Sequence, residues 1–592
     1  MVFGKHLNKY YLKYAWMLLF GVATLILVDL VQLRMPRIYN IVVSALTYGK
    51  VKIDGAEVPF TMDVLLDKVC APMLLIVFTL LIGRFLWRVF FFGAGIRVVT
   101  DMRSEMFGHC KDLSQQFYNE NKVGDLMSLF TNDLDTIEDC FGWGVLMATD
   151  AVCLGIMAIY KMVRMNPLLT LFSMLPMVLL FVIGTFVGKS MTRKWDKRQE
   201  QFSKISDFSQ ESFSGIAVIK AFVRETRELM AFDVLNRENE DANVDFVKTS
   251  TLLRVLVTLF EESVIGVILG YGGYLVYVGT FDAGELIEFI GYFTSIVWPI
   301  MAIAELIDMT SRGKASLGRI SKLLDTKRDV VDREGVTAPS EIKGEIEFKN
   351  LTWRYPGATH DNLTDVSFKI NAGENIGIIG KTGSGKTTVC DLILRTYNVP
   401  DGTVFIDGID VNDIPIKTVR DFAAYVPQDN FLFSDTIAEN IAFASDVNDR
   451  EIVEKAARIA DVDGDISAFP LGYDTVLGER GVTVSGGQKQ RISIARAVMK
   501  NASILIMDDS VSAVDTDTER KILGELRAIR KGKTTILIAH RVSTIEQMDK
   551  ILYMDRGRVL GFGTHAELME TCPEFRKTVE LQRLEDEREG DF

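Results

Sequence analysis

Residues 15–306 carry six apolar runs, at roughly 15–46, 70–94, 140–162, 167–189, 252–279 and 284–306. A helix that crosses a bilayer needs about 20 mostly apolar residues, so each run is long enough to span. Polar stretches at about 95–139 and 190–250 separate the second run from the third and the fourth from the fifth. They are dense in charge, with Arg193, Lys194, Lys197, Arg198 and Glu200 close together. Too polar for lipid, they have the pattern of helices that run on into water. Lys5, Lys9 and Lys13 precede the first run. With the N-terminus inside, six crossings return the chain to its starting side, and the Lys/Arg-rich segments fall on that side. The expectation is a helical membrane domain of six long transmembrane helices over residues 1–320, with a cytoplasmic N-terminus. No short apolar region with a small-residue cleavage site follows Met1–Lys13, so no removable signal peptide is expected.

The far face of this domain has little protein. Its longest loop, 47–68, alternates as Val51-Lys52-Ile53-Asp54-Gly55-Ala56-Glu57-Val58, which predicts a hairpin turning at Asp-Gly. Asp29, Arg84, Arg88, Asp150, Glu261, Glu262, Glu305 and Asp308 fall within the runs or at their edges. Charges at such depth are candidate functional groups, or else helix-end groups that reach water or the wet wall of a cavity at the cytosolic side. Gly266 and Gly270 form a G-x-x-x-G, the spacing of closely packed helices. The membrane half is rich in Phe, Leu, Val and Met, with aromatic clusters such as Phe90-Phe91-Phe92. Surfaces of this kind favour adaptable apolar contacts, and so an amphipathic ligand. Cys70, Cys110, Cys140, Cys153, Cys390 and Cys572 lack pairing or metal spacing, the pattern of a reducing compartment.

From residue 344 the pattern changes to short strands, Glu345-Ile346-Glu347-Phe348 and Val366-Ser367-Phe368-Lys369-Ile370, after a charged linker at 321–343. Then Gly380-Lys381-Thr382-Gly383-Ser384-Gly385-Lys386-Thr387 reads G-x-x-x-x-G-K-[ST]. It follows the apolar run Asn375–Ile379 and precedes Thr388–Tyr397, which reads as a helix. Strand, glycine loop and helix in that order make a phosphate-binding loop. Glycines let backbone N–H groups curl around a triphosphate, and the helix adds its positive end. Lys386 would neutralise β- and γ-phosphates, and Thr387 would hold Mg2+. Ile504-Leu505-Ile506-Met507-Asp508 supplies a buried strand ending in an acid, the second half of an NTP site. Residues 344–592 are thus expected to form an α/β P-loop nucleotide-binding domain. A net charge of −13 argues against nucleic acid as a partner.

Further motifs follow in fixed order, and together they resemble an ABC transporter, a half-transporter of the type I exporter class, over nearly the whole chain. Tyr355, in Trp353-Arg354-Tyr355-Pro356, resembles the aromatic that stacks on adenine. Gln428, in Tyr425-Val426-Pro427-Gln428-Asp429, resembles the glutamine that reaches Mg2+ and the attacking water. Val484-Ser485-Gly486-Gly487-Gln488 resembles the family signature, with Val for the usual Leu. In the family this loop grips the ATP held by the other subunit. Ser512-Ala513-Val514-Asp515 resembles the loop between the two ATP sites. Gly478-Glu479-Arg480-Gly481 resembles the element that touches the partner's intracellular helices, and His540 the histidine at the γ-phosphate. Ser114–Tyr118 with Val123-Gly124-Asp125, and Ser212–Gly215 with Val218-Ile219-Lys220, resemble the two coupling segments. The resemblance implies ATP and Mg2+ as ligands, with Tyr355, Gly380–Thr388 and Ser485–Gln488 at nucleotide and Thr387, Gln428 and Asp508 at the metal. It also implies a dimer in a membrane, exporting an amphipathic or hydrophobic drug, lipid or peptide, in a bacterial plasma (inner) membrane with the nucleotide domain in the cytoplasm.

Asp509 departs from the pattern, because the family's hydrolytic members carry Glu there. Aspartate is one methylene shorter, so its carboxylate falls back by on the order of 1 Å, a misplacement that can cost about 10²-fold in rate. With Asp509, His540 and Gln428 as its catalytic set, the chain resembles the degenerate-site subunit of a heterodimer, its partner a second half-transporter with the catalytic Glu. A homodimer using Asp509 as a slow base, and a nucleotide-gated channel or receptor on the same scaffold, are the alternatives.

Overall fold

The computed structural model describes residues 3–53, 56–445, 449–478, 481 and 484–590. Its contacts divide the chain into two compact units, Met1–Phe107 with Leu126–Asp325, and Gly108–Asp125 with Thr326–Phe592. The segment containing the first expected coupling motif therefore belongs with the nucleotide-binding part.

The first unit is helical. Among the described residues four stretches are long and apolar enough to cross a membrane: Ala15–Tyr48, Met62–Lys111, Val123–Met165 and Ala283–Leu324. The other two expected runs lie on the helices Pro167–Ser214 and Glu225–Tyr277. The first of these holds a shorter apolar helix, Pro167–Leu180, and Glu261-Glu262 interrupt the second. These helices are 48 and 53 residues long, roughly 70–80 Å at 1.5 Å per residue, far more than the roughly 30 Å of a hydrocarbon core. They pack along each other, so the charged stretch 190–250 is helix that outruns any lipid. Local chemistry sets the starts. Asn166 accepts a hydrogen bond from Leu169 N ahead of Pro167. Asp282 and Glu285 form a reciprocal capping box at the start of Ala283–Leu324.

The apolar core of this unit gathers Leu154, Ala158, Met162, Phe289, Tyr292 and Phe293. Phe91, expected among ligand-facing aromatics, is fully buried; Phe90 stacks on Phe20 and Phe92 on Trp143. A Cβ on Gly266 or Gly270 meets open space, so neither is a close-packing point within the described chain. The six cysteines are free thiols. The expected hairpin is present as β1 (Lys50–Ile53) and β2 (Ala56–Pro59), antiparallel with Ile53 opposite Ala56; its Asp54-Gly55 turn lies outside the described residues.

The second unit is α/β. An antiparallel sheet combines β3 (Ile346–Trp353), β4 (Leu363–Ile370), β6 (Val404–Ile406) and β7 (Ile409–Asp410) in the order β4-β3-β6-β7. The larger sheet runs β12-β11-β5-β10-β9-β8. Here β5 is Asn375–Gly380, β8 Ala423–Val426, β9 Ile504–Asp508, β10 Thr534–Ile538, β11 Lys550–Asp555 and β12 Arg558–Gly563. All are parallel except β12 at the edge. Every residue of β9 and β10 is buried, as a parallel strand covered on both faces requires. The order β5-β10-β9 brings three C-terminal strand ends side by side. Those ends carry Gly380, Ile538 and Asp508, and ligands of open α/β sheets bind at such ends. The helix after the glycine loop runs Lys386–Ile393, two residues earlier than the expected Thr388 and four short of Tyr397. It stops where Arg395 turns into the left-handed region at φ 48°.

Candidate functional site

The glycine loop is shaped by close approach. Gly380 ends β5 with φ 159°, and a Cβ there would lie 2.0 Å from the Met554 carbonyl oxygen of β11. Gly383 and Gly385 take φ values of 79° and 95°, backbone that an L side chain resists. The loop wraps into the Lys386–Ile393 helix and leaves a cleft of about 560 Å³. Tyr355, Thr382, Gly383, Ser384, Gly385, Lys386, Thr387, Thr388, Gln428, Asp508, Asp509 and His540 line it. Gly380 and Lys381 do not face it; their carbonyls hold Lys386 Nζ at 2.8 and 3.0 Å.

The charges in the cleft are unbalanced in a telling way. Lys386 makes no ion pair with a carboxylate among the described residues; burial pulls its ammonium's pKa down, against Asp508 and Asp509. A phosphate would supply the missing anion. Asp508 is buried beside Thr387, and its Oδ2 has no partner. Burial raises its carboxyl, opposed by the neighbouring Thr387 hydroxyl. An orphaned carboxylate oxygen beside a threonine hydroxyl fits a hard divalent cation that also touches phosphate.

Asp509 takes φ 47°, the left-handed region that Asp tolerates better than most residues. Its backbone is tied on both sides. Its N–H donates to Ile538 O, and its carbonyl accepts from Gln490 Nε2 and Ser512 Oγ. The carboxylate Oδ2 lies 3.9 Å from His540 Nε2. The acid and the histidine thus share the cleft, close but not in hydrogen-bond contact. Tyr355 hydrogen-bonds Thr388 through its hydroxyl at 3.0 Å and meets Trp353 and Tyr397 edge-on. Burial pushes its phenol up to about 12.

Ser485, Gly486, Gly487 and Gln488 do not line this cleft. They open the helix Gly486–Met499 as a capping box: Ser485 Oγ accepts from Gln488 N, and Gln488 Oε1 accepts from Ser485 N. The Gln488 side chain is therefore committed to the cap. A Cβ on Gly487 would meet the Ala513 carbonyl at 3.0 Å, so the signature packs tightly on the Ser512–Asp515 loop. The Gly478–Gly481 element has its central Glu479-Arg480 outside the described residues.

Three contacts were not foreseen. Gln490, almost wholly buried, donates to Asp509 O and accepts from Ala513 N, joining the signature helix to the acid and to the loop beyond it. Asn119, on the short helix Gln115–Glu120, donates to the Tyr397 hydroxyl at 3.1 Å, and Tyr397 abuts Tyr355. Gln582, on the C-terminal helix Pro573–Gly590, donates to His540 O at 2.7 Å and accepts from Val542 N at 2.8 Å. Gln582 so clamps the backbone on either side of Arg541. Replacing Gln582 by Ala should lower kcat for ATP about 3- to 10-fold, the worth of one or two neutral hydrogen bonds, with KM within about twofold. Gln582→Glu, which keeps the acceptor for Val542, should recover part of the loss. Steady-state ATPase kinetics check this; an equal change in KM would point to a merely structural role.

Residues 18–300 match the family described as ABC transporter transmembrane region, and residues 363–512 the family described as ABC transporter. The chain is 37% identical to the probable multidrug resistance ABC transporter ATP-binding/permease protein YheI of Bacillus subtilis, over 86% of this chain and 87% of that protein. It is 34% identical to the multidrug resistance-like ATP-binding protein MdlA of Escherichia coli, over 98% of this chain and 96% of that protein. Among solved structures, a bacterial Atm1-family ABC exporter with ATP bound aligns with a TM-score of 0.75 and 26% identity, covering 98% of this chain and all of that one.

Proposed function

The chain belongs to the ABC transporter family, and we propose that it exports amphipathic or hydrophobic compounds as one half of a heterodimer. It is an ATPase-coupled membrane transporter. In this reading residues 1–320 form the membrane domain, 321–343 the linker and 344–592 the nucleotide domain. Pro167–Ser214 and Glu225–Tyr277 each contribute a crossing, which brings the spans to six. The charge pattern of the loops supports a cytoplasmic nucleotide domain, and the bacterial relatives support a bacterial inner membrane.

The observation that carries the proposal is the separation of the two halves of the site. The phosphate loop, Asp508, Asp509, Gln428 and His540 share one cleft, and Ser485–Gln488 lie outside it. A second subunit must bring its own signature to this chain's ATP, and this chain's signature serves the partner's. Phe213, Val218 and Phe222 around the second coupling segment are more than half exposed, apolar surface that a partner's nucleotide domain would cover. The multidrug names of the relatives support the class of cargo.

In this reading Lys386 neutralises the β- and γ-phosphates, Tyr355 stacks on adenine, and Gln428 and Asp509 orient the attacking water. His540 holds the γ-phosphate. Thr387, Asp508 and Gln428 would hold Mg2+, which when bound supplies charge to offset that of the transferring phosphoryl group. The short reach of Asp509 assigns most hydrolysis to the partner's Glu. One observation favours a homodimer instead: Asp509 is already in the cleft, 3.9 Å from His540. The purified chain alone should bind ATP–Mg and turn it over slowly. Brisk turnover without a second subunit would sink the heterodimer.

A further inference from the structure

Four basic side chains from three of the membrane-spanning stretches meet around one cavity of about 440 Å³. Arg34 and Arg37 come from Ala15–Tyr48, Lys68 from Met62–Lys111 and Lys161 from Val123–Met165. Tyr292, on Ala283–Leu324, closes one side and is 2% exposed. The other walls are mostly aliphatic, Ile38, Ile41, Leu75 and Ile76 among them, and no carboxylate of the described residues lines the space. Two carboxylates stand nearby. Asp67 pairs with Lys68 at 3.0 Å. Glu288, one helical turn from Tyr292, accepts from the Tyr292 hydroxyl at 2.8 Å and from Asn40 Nδ2 at 2.6 Å. Arg34, Arg37 and Lys161 make no ion pair among the described residues. Even with both acids counted against the four cations, two positive charges are unmatched.

Depth narrows what belongs there. Arg34 lies about 30 Å of helix beyond Ala15 at 1.5 Å per residue, about the thickness of a hydrocarbon core. Lys68 precedes the apolar run 70–94, and Lys161 stands at the end of the run 140–162. The cations are thus placed where the hydrocarbon of a bilayer gives way to its headgroups. Helix-end cations ordinarily reach out to that layer one by one. Here they converge on a single space instead, so each opposes the others unless an anion sits between them. Guanidinium groups grip phosphate through paired N–H donors, and basic pockets between spanning helices take phosphate headgroups. The aliphatic walls suit an acyl chain and not a free ion.

We propose that this cavity holds the headgroup phosphate of an anionic glycerophospholipid. The phosphate sits among Arg34, Arg37 and Lys161, and an acyl chain lies against Ile38, Ile41, Leu75 and Ile76. The lipid is a fixed constituent that ties three spans together through one anion, and it is not cargo. The site therefore stands apart from the export reading and from the choice of dimer.

The test is native mass spectrometry of the full transporter in detergent, titrated with dioleoylphosphatidylglycerol. Dioleoylphosphatidylcholine, with the same chains and phosphate but no net charge, is the comparison. For the first lipid bound per chain, the wild type should hold the glycerol lipid at least about tenfold more tightly, a contrast that needs no variant. Arg34→Gln combined with Arg37→Gln should weaken the glycerol lipid about 10- to 100-fold, as for lost charge-assisted hydrogen bonds, and leave the choline lipid within about twofold. Arg34→Lys with Arg37→Lys keeps the charge without the paired donors and should recover part of the affinity. Arg164→Gln is the control. Arg164 lies one turn from Lys161, covers the Tyr160 ring and does not line the cavity, so its loss should change nothing. Excess inorganic phosphate should leave the lipid bound. Four results would overturn the site. Equal affinity for the two lipids is the first, and a carboxylate of a second subunit seated among the cations would produce it. The second is an unchanged affinity in the double glutamine variant. The third is an equal loss from Arg164→Gln, the mark of general attraction to helix ends. The fourth is full displacement by inorganic phosphate, the mark of a site for a free anion.

Discussion

Replacing Ser485 by Arg should cut turnover of the assembled transporter by about 10²-fold or more while leaving ATP binding at this chain's own loop within about twofold. Ser485 caps the helix Gly486–Met499 and stands outside the cleft formed by its own phosphate loop. Free backbone N–H groups at such a helix start form a site for an anion, and in the proposed dimer the anion they would serve is the nucleotide of the other subunit. Losing donors aimed at developing charge costs roughly 10²–10³-fold, and an arginine would in addition fill the space. The folding cost is smaller, because an N-cap is worth about 1 kcal/mol. Ser485→Ala separates the two effects: it removes the cap but leaves the glycine backbone open, so it should retain far more turnover than the arginine. Gly487→Asp should resemble Ser485→Arg, since its Cβ would press on the Ala513 carbonyl and set a carboxylate where phosphate belongs. The readouts are vesicle transport and fluorescent-nucleotide binding. Normal transport by Ser485→Arg would show that the signature does not serve the working site.

What could be read from the sequence is what is local. The phosphate loop lies in consecutive residues, and its glycines answer to backbone geometry within that stretch. The strand Ile504–Asp508 reads as buried because all its residues but the last are apolar, and it forms over those residues. What could not be read depends on distance along the chain. Gln582 reaches His540 from 42 residues away and Asn119 reaches Tyr397 from 278 away; neither carries a motif, and a lone amide on a helix gives no sign of its partner. Asp29 and Asp150 each stand out as charges in apolar runs, but their meeting, with Arg84 and Arg88 around one cavity, depends on how helices pack. The span count shows the opposite difficulty. Composition averaged over a run suggests six crossings, yet helices such as Glu225–Tyr277 blend a charged half into an apolar half, so length and hydropathy do not delimit the crossing.

The left-handed backbone at Asp509 links the local and distant features. Its φ is held by Ile538, Gln490 and Ser512, groups on the adjoining strand, the signature helix and the loop between the two ATP sites. Movement of the helix Gly486–Met499 would therefore be felt at the acid through Gln490, whose amide oxygen accepts from Ala513 N. Asn119, Tyr397 and Tyr355 form a corresponding line from the first coupling segment to the cleft. On the proposed roles of the cleft and of the helix Gln115–Glu120, nucleotide and coupling segment would meet at Tyr355 through Tyr397.

Removing the Asp509 carboxylate should cost little. Asp509→Asn is expected to keep transport within about tenfold, a loss of no more than about 1.4 kcal/mol of barrier. The change preserves size, and the left-handed backbone tolerates Asn as readily as Asp. In the proposed heterodimer, the matching Glu→Gln change in the partner should cost about 10²–10⁴-fold, as for a positioned general base. Asp509→Glu tests reach directly. It restores the missing methylene, so it should raise hydrolysis at this site, against a modest backbone cost because Glu is less at ease than Asp at φ 47°. The three ties on the Asp509 backbone offset that cost. If Asp509→Glu gains nothing, the shortfall lies in the signature that closes over this ATP. Asp509→Asn remains the arbiter between the two assemblies. Total loss of turnover with ATP binding and expression intact would make Asp509 the working base, 3.9 Å from His540 as it stands, and the transporter a homodimer.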